Sequence, residues 1–340
     1  MRITTVGLGA VGGLVAARLG LANAANKMHR LAGLARGATL QTVSEHGLVL
    51  HAGGQAHTVS LHATGDPHAL GVQDLVIIAV KAPALAGLAA MLAPLIGPQT
   101  VILPMMNGVP WWFLQARAAN AAPAEDAWPL ASIDPQGRIA AALPMSQVLG
   151  CVVHFTSSCP APGVVRHGFG ERLIVGEPGG GVVSPRVDDV ACVLREAGFT
   201  VETSTDIRRD IWFKLWGNMT MNPVSALTGA TCDRILDDPL VSAFVLQAMG
   251  EAAEIGARIS CPIEQSGEAR MAVTRQLGAF KTSMLQDAEA GRPLEIDALV
   301  AAVHEIGQRV GVAMPAIGAL LGLVRLMAQT RQDRGAKAGG

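Results

Sequence analysis

Short apolar runs alternate with longer Ala- and Leu-rich segments through the N-terminal part of the chain. Arg2 to Val6 reads as a strand, Ala10 to Leu21 as a helix, Leu31 to Ala35 and Asp74 to Val80 as strands, Ala84 to Leu95 as a helix and Thr100 to Pro104 as a strand. Runs such as Val76-Ile77-Ile78-Ala79-Val80 are apolar on both faces, as expected of strands covered on each side. The strand, helix, strand rhythm predicts an α/β domain with a parallel sheet and helical crossovers. From Val148 to Phe155 and from Gly163 to Gly176 the pattern becomes strand, turn, strand, followed by a helix near Asp188 to Ala197 and a strand at Phe199 to Thr203. Between them, Asn120 to Met145 is rich in Ala and Pro and shows no strand pattern, so an insertion over about 111–147 is expected at the surface. After Asp206 a helical period dominates to about Gln329, broken at Pro223, Pro239, Pro262, Pro293 and Pro315. Two domains follow, 1–205 and an all-helical 206–330, with a flexible polar tail at 331–340.

Composition narrows the function. The 340 residues are 50% hydrophobic and 16% charged, with 26 Lys and Arg against 27 Asp and Glu. Such a chain can bury a core, and it has no basic face for nucleic acid or an acidic membrane. Tyr is absent and the aromatics are five Trp and seven Phe, so a tyrosine proton donor is excluded. Cys151, Cys159, Cys192, Cys232 and Cys261 are odd in number and widely spaced, which argues against a disulfide framework and a metal site. The start of the chain is spoiled as a signal peptide by Arg18 and its glycines, and uninterrupted apolar windows stay short of about 18 residues. A cytoplasmic protein is expected, and apolar C-terminal helices such as Val310 to Met327 could supply a homodimer face.

Gly7-Leu8-Gly9-Ala10-Val11-Gly12 follows the first expected strand and opens the first expected helix. In that context a Gly-x-Gly-x-x-Gly loop reads as a dinucleotide site: Gly7 for the turn, Gly9 for approach of a pyrophosphate, Gly12 for close helix packing, and the helix N-terminus facing the phosphates. The end of the second strand decides which dinucleotide. No Asp or Glu precedes Glu45, and Ala35-Arg36-Gly37 puts a guanidinium where a 2′-phosphate would sit. NADPH or NADP+ is therefore expected over NAD, with Arg36 as a phosphate contact or a plain turn residue. Lys81 ends a buried strand, and Asn107 in Met106-Asn107-Gly108 follows the next, both on the ligand side of an open parallel sheet. Each is a contact or, by the local sequence alone, a solvated lysine and an Asn-Gly turn.

In Trp212-Phe213-Lys214-Leu215-Trp216-Gly217-Asn218-Met219-Thr220-Met221-Asn222 the residues Lys214, Asn218 and Asn222 span about 80° of a helix otherwise apolar. The stripe faces solvent, or a cleft with a polar ligand. A lysine so placed can protonate a developing alkoxide. Ser283-Met284-Leu285-Gln286-Asp287 and Glu295-Ile296-Asp297 frame a turn and a helix starting near Pro293, where Glu295 and Asp297 read as first-turn acids.

This ordered set resembles the ketopantoate reductase (2-dehydropantoate 2-reductase) family over nearly the whole chain. The resemblance implies a Rossmann-type NADP-binding domain, a helical substrate domain like the C-terminal domain of 6-phosphogluconate dehydrogenase, and NADPH reduction of a 2-oxo acid in a cleft between them. By that likeness Lys214 is the proton donor. Asn107, Asn218 and Asn222 orient the substrate, Ser283 meets its carboxylate, Glu295 holds the substrate hydroxyl or the cofactor, and Lys81 and Arg36 assist NADPH. The enzyme implied is a 2-dehydropantoate 2-reductase of pantothenate biosynthesis. Another 2-oxo acid reductase, an opine-type dehydrogenase and a non-catalytic NADP(H) sensor are the alternatives. Two departures bear on the substrate. Gly229-Ala230-Thr231-Cys232 stands where some family members carry a further asparagine, and Trp111-Trp112 with Trp128 are placed to reshape the cleft or its rim.

Overall fold

The computed structural model describes residues 1–115 and 129–338. The chain forms two compact units. One comprises 1–106, 111–129 and 136–210, and the other 107–110, 130–135 and 211–340.

In the first unit the elements run β1 (Arg2–Val6), α1 (Ala10–Asn26), β2 (Arg30–Leu34), α2 (Gly37–His46), β3 (Leu48–Ala52), β4 (Gln55–Val59), β5 (His62–Thr64), β6 (Leu75–Ile78), α3 (Ala82–Leu88) and β7 (Val101–Pro104). Further along come α4 (Arg138–Ala142), β8 (Gly150–His154), β9 (Ser157–Ala161), β10 (Val164–His167), β11 (Arg172–Gly176), α5 (Pro185–Glu196) and β12 (Thr200–Ser204). The central sheet is parallel with order β5-β2-β1-β6-β7. Counted among its own strands this order is 3-2-1-4-5, the Rossmann arrangement, whose order reverses between β1 and β6. The glycine loop after β1 and Lys81 after β6 thus flank the switch point.

Two further sheets complete the unit. β12-β11-β8 continues beyond β7 through a parallel bridge of Ile102 with Val148 and the Leu149 N–H to Ile102 carbonyl bond of 2.9 Å. The order β4-β3-β10-β9 makes a small sheet in which Val49 pairs with Val164. Helix α1 meets it through glycines: a Cβ on Gly13 would lie 2.5 Å from a Val165 methyl, and one on Gly20 would lie 2.2 Å from a Val59 methyl. One continuous core joins Ile3, Leu14, Leu48, Ile77, Leu103, Leu173 and Leu194.

The expected insertion changes character. Trp111, Trp112, Phe113 and Leu114 are buried, with Phe113 fully so and covered by the Arg208 guanidinium at 5.1 Å. Four large apolar side chains gain more from the core than from a rim, so Trp111 and Trp112 belong to the packing of the first unit. Trp128, with the rest of 116–128, lies outside the described residues.

The second unit is helical: α6 (Ile207–Thr228), α7 (Cys232–Asp237), α8 (Pro239–Arg258), α9 (Gly267–Arg275), α10 (Ser283–Glu289), a π-helical turn at Asp297–Ala301, α11 (Ala302–Arg309) and α12 (Pro315–Ala338). The last helix continues through the segment expected as a flexible tail, and the turn after Pro293 becomes helical only at Ile296. Helix α8 is long and apolar enough by composition to cross a membrane. Here it serves as a packing partner: the indole N–H groups of Trp212 and Trp216 on α6 donate to its Ala252 and Met249 carbonyls at 3.3 and 2.8 Å.

Its Glu251, buried, accepts the N–H groups of Ala316 and Ile317 at 2.9 Å each. A carboxylate from another helix therefore caps α12, whose first residue is a proline that lacks an N–H of its own. Glu251→Ala leaves those donors unpaired and should lower stability by about 1–3 kcal/mol in urea unfolding, while an unchanged midpoint would show that the cap contributes nothing.

Candidate functional site

The nucleotide-side residues lie in the first unit. Gly7 has φ +88°, and a Cβ there would come 2.7 Å from a Val80 methyl. Gly12 is tighter still, with a Cβ 2.0 Å from the Gly7 carbonyl oxygen. By contrast an added Cβ on Gly9 meets nothing within 4 Å. Gly7 and Gly12 are thus needed for packing, and Gly9 keeps open the side from which a phosphate would approach. Gly9 is also the extended N-cap of α1, and α1 has neither a side-chain cap nor an acidic residue in its first turn. Its leading N–H groups are therefore available to an anion. Leu8 is buried and packs over Gly33, so its side chain serves the core; Ala10 and Val11 are half-buried on the helix.

Arg36 is exposed at the start of α2, immediately after Ala35 at the end of the β2 run. Among the described residues its guanidinium has no acidic partner. Lys81 caps α3 at the end of the β6 run and is half-buried. The loop, Arg36 and Lys81 fit a dinucleotide carrying an extra phosphate: an uncapped helix N-terminus, an open glycine and a cation after the second strand.

The other candidates gather in the second unit. Lys214 Nζ donates to Asn107 Oδ1 at 2.8 Å. Asn107 reaches it because its loop is pinned: the Val109 N–H donates to the Ala298 carbonyl at 2.8 Å, and Gly108, at φ +85°, lies so close that a Cβ would sit 2.5 Å from that same oxygen. Ala298 belongs to the π-helical turn, a rare conformation that recurs at functional sites. Two residues before the turn stands Glu295, a buried residue.

Lys214 and Asn218 are half-buried and Asn222 is buried, so the stripe on α6 does not face bulk solvent. Trp212, Leu215, Trp216 and Met219 fill the helix's remaining faces. Among the described residues the amides of Asn218 and Asn222 make no hydrogen bond. Neither amide is among the fully buried unpartnered groups, so both are open to a polar ligand. Ser283 is exposed as the first residue of α10, whose cap is Thr282, and its hydroxyl is likewise unbonded among the described residues. Asp297 is exposed in the first turn of its helix, whereas the Asp287 carboxylate accepts from Arg292 Nε at 2.9 Å and closes the intervening turn.

Asn107 and the α6 stripe can orient a small polar molecule around a lysine proton. The sequence reading did not single out Arg270, Phe213 or Gly217, which border the same stripe.

Two family models match the chain: Ketopantoate reductase PanE/ApbA over residues 3–123 and its C-terminal partner over 206–328. The 2-dehydropantoate 2-reductase of Mesorhizobium japonicum is 40% identical, covering 97% of this chain and 99% of its own. This chain belongs to the ketopantoate reductase family. It is accordingly an oxidoreductase. Among solved structures, a candidate ketopantoate reductase of Ralstonia solanacearum MolK2 is 61% identical with TM-score 0.91, covering 97% of this chain and 98% of that one. D-mandelate dehydrogenase, solved with NADH and anilino(oxo)acetate, shares the fold at TM-score 0.81 and 21% identity over 98% of this chain and all of its own length.

The departure at Cys232 has a definite chemistry. Cys232 opens α7, its N–H donates to the Phe280 carbonyl at 3.0 Å, and burial together with the Asp233 carboxylate pushes its thiol up to about 11. It is a packed, neutral thiol. In the folded protein at pH 8 a disulfide reagent should label exposed Cys192 and leave Cys232 unmodified. Labelling of Cys232 at the rate of Cys192 would contradict that burial.

Proposed function

We propose that this chain is an NADPH-dependent 2-dehydropantoate 2-reductase that converts ketopantoate to pantoate, a step of pantothenate biosynthesis. Family membership and the 40% identical relative of that name support the substrate. The observation that carries the reaction type is the Lys214 ammonium, half-buried on an apolar helix and hydrogen-bonded to Asn107 at 2.8 Å.

In this reading the α1 N-terminus and the glycine loop hold the pyrophosphate, Arg36 meets the 2′-phosphate and Lys81 assists. The absence of an acidic residue before Glu45 removes the usual partner of an unphosphorylated ribose. Bound NADPH supplies the hydride. The side chains of the second unit supply position and a proton. Lys214 Nζ donates to the keto oxygen as negative charge develops there, and the Asn107 oxygen orients the ammonium. The free amides of Asn218 and Asn222 bond the polar substituents of the substrate, and Ser283 donates to a carboxylate oxygen. Glu295, buried beside the π-helical turn, holds the substrate hydroxyl or the cofactor.

A reductase of a different 2-oxo acid is the second reading. It is favoured by Cys232, a buried thiol where relatives carry an amide, since that exchange removes one polar contact to the substrate tail. A substrate panel separates the two. Initial rates of NADPH oxidation should give ketopantoate the highest kcat/KM against pyruvate and other branched 2-oxo acids, with NADH a poorer donor. Lys214→Ala should lower kcat by about 10²- to 10⁴-fold while NADPH binding, followed by fluorescence, is retained. Equal rates on all the acids would remove the assignment of substrate, and full turnover by the variant would remove Lys214 as donor.

A further inference from the structure

The Lys214 sector of α6 is bordered by a cation that no acid meets among the described residues. Arg270, on α9, stacks its guanidinium on the Phe213 ring at 5.2 Å from the centroid. It also lies against Gly217, where an added Cβ would come within 3.1 Å of Nε and 3.2 Å of Nη2. Its Nε is buried and unbonded, and among the described residues it has no carboxylate partner. Burial lowers the guanidinium pKa from its ordinary value. The cation is thus half-buried, with Nε shut off from water and its Nη groups left open to an incoming anion.

Its place on the helix is informative. At about 100° per residue, Phe213 and Gly217 lie roughly 100° and 60° to one side of Lys214, while Asn218 lies about 40° to the other. Along the axis they bracket Lys214, one residue before it and three after. A glycine inside a helix is disfavoured, and at 217 it is what lets a flat guanidinium rest on α6 one turn from the lysine. The polar sector therefore runs from Arg270 through Lys214 to Asn218 and Asn222.

A 2-oxo acid brings a carboxylate that needs a counter-charge in a shielded site. In the proposed reaction the Lys214 ammonium serves the keto oxygen. Asn218, Asn222 and Ser283 are neutral donors. We propose that Arg270 supplies the counter-charge to the substrate carboxylate that Ser283 also contacts, pairing its guanidinium with that group and so selecting acids over their neutral analogues. The inference rests on the 2-oxo acid reading above.

The test compares ketopantoate with its methyl ester in the wild type, Arg270→Gln and Arg270→Lys, with NADPH binding by fluorescence and thermal unfolding alongside. In Arg270→Gln the KM for the acid should rise about 10- to 100-fold, the loss of a charge-assisted pair. The KM for the ester and the Kd for NADPH should stay within about twofold, so the preference for the acid collapses. Arg270→Lys keeps the charge without the fork and should recover part of that preference. It carries the same comparison should the glutamine variant not fold. Acid and ester affected by the same factor, or neither affected, would leave Arg270 a packing residue and overturn the proposal while the reductase reading stands. A wild type that neither reduces nor binds any 2-oxo acid would overturn both.

Discussion

The hydrogen bond from Lys214 to Asn107 is the contact on which the proposed reaction depends. A lysine has four rotatable bonds and, left alone, spreads its ammonium over a wide volume. Here both partners are fixed from behind. Helix α6 is tied to α8 by the Trp212 and Trp216 indoles, and the Asn107 loop is tied to the π-helical turn by Val109 and the missing side chain of Gly108. In the proposed reaction the proton is positioned because two rigid backbones meet at it, which is what a general acid requires.

The same economy of side chains shapes the nucleotide side. In α1 successive glycines admit different neighbours: Gly12 the Gly7 carbonyl, Gly13 Val165 and Gly20 Val59. The helix is held from several directions, so its uncapped N-terminus is aimed by packing and is left with N–H groups to give. Arg36 adds charge at the end of β2 where an NAD-preferring chain would place an acid.

Much of this was legible in the sequence, for physical reasons that differ by element. Strands β1, β6 and β7 announce themselves as apolar runs because both of their faces are covered, and the glycine loop is specific once it stands between strand and helix. Lys214, Asn218 and Asn222 show as a stripe because the rest of that helix is apolar. The small sheet was hidden: β3 and β4 carry His51, Gln55 and His57, and β3 pairs with β10 from far along the chain, an association no local pattern displays. Trp111 to Leu114 adjoin an Ala- and Pro-rich run whose composition suggests surface, although these residues fill the core. Arg270 was invisible as well. An arginine on a polar helix looks solvated, and it is Phe213 and Gly217 on another helix that reveal it is packed.

The account is tested most directly by a double-mutant cycle on kcat for ketopantoate reduction using Asn107→Ala, Lys214→Ala and both together. If Asn107 acts by orienting the Lys214 ammonium, the double variant will be little slower than Lys214→Ala alone, because the asparagine has nothing left to orient. Losses that simply multiply would show the two residues acting independently and would contradict the central claim.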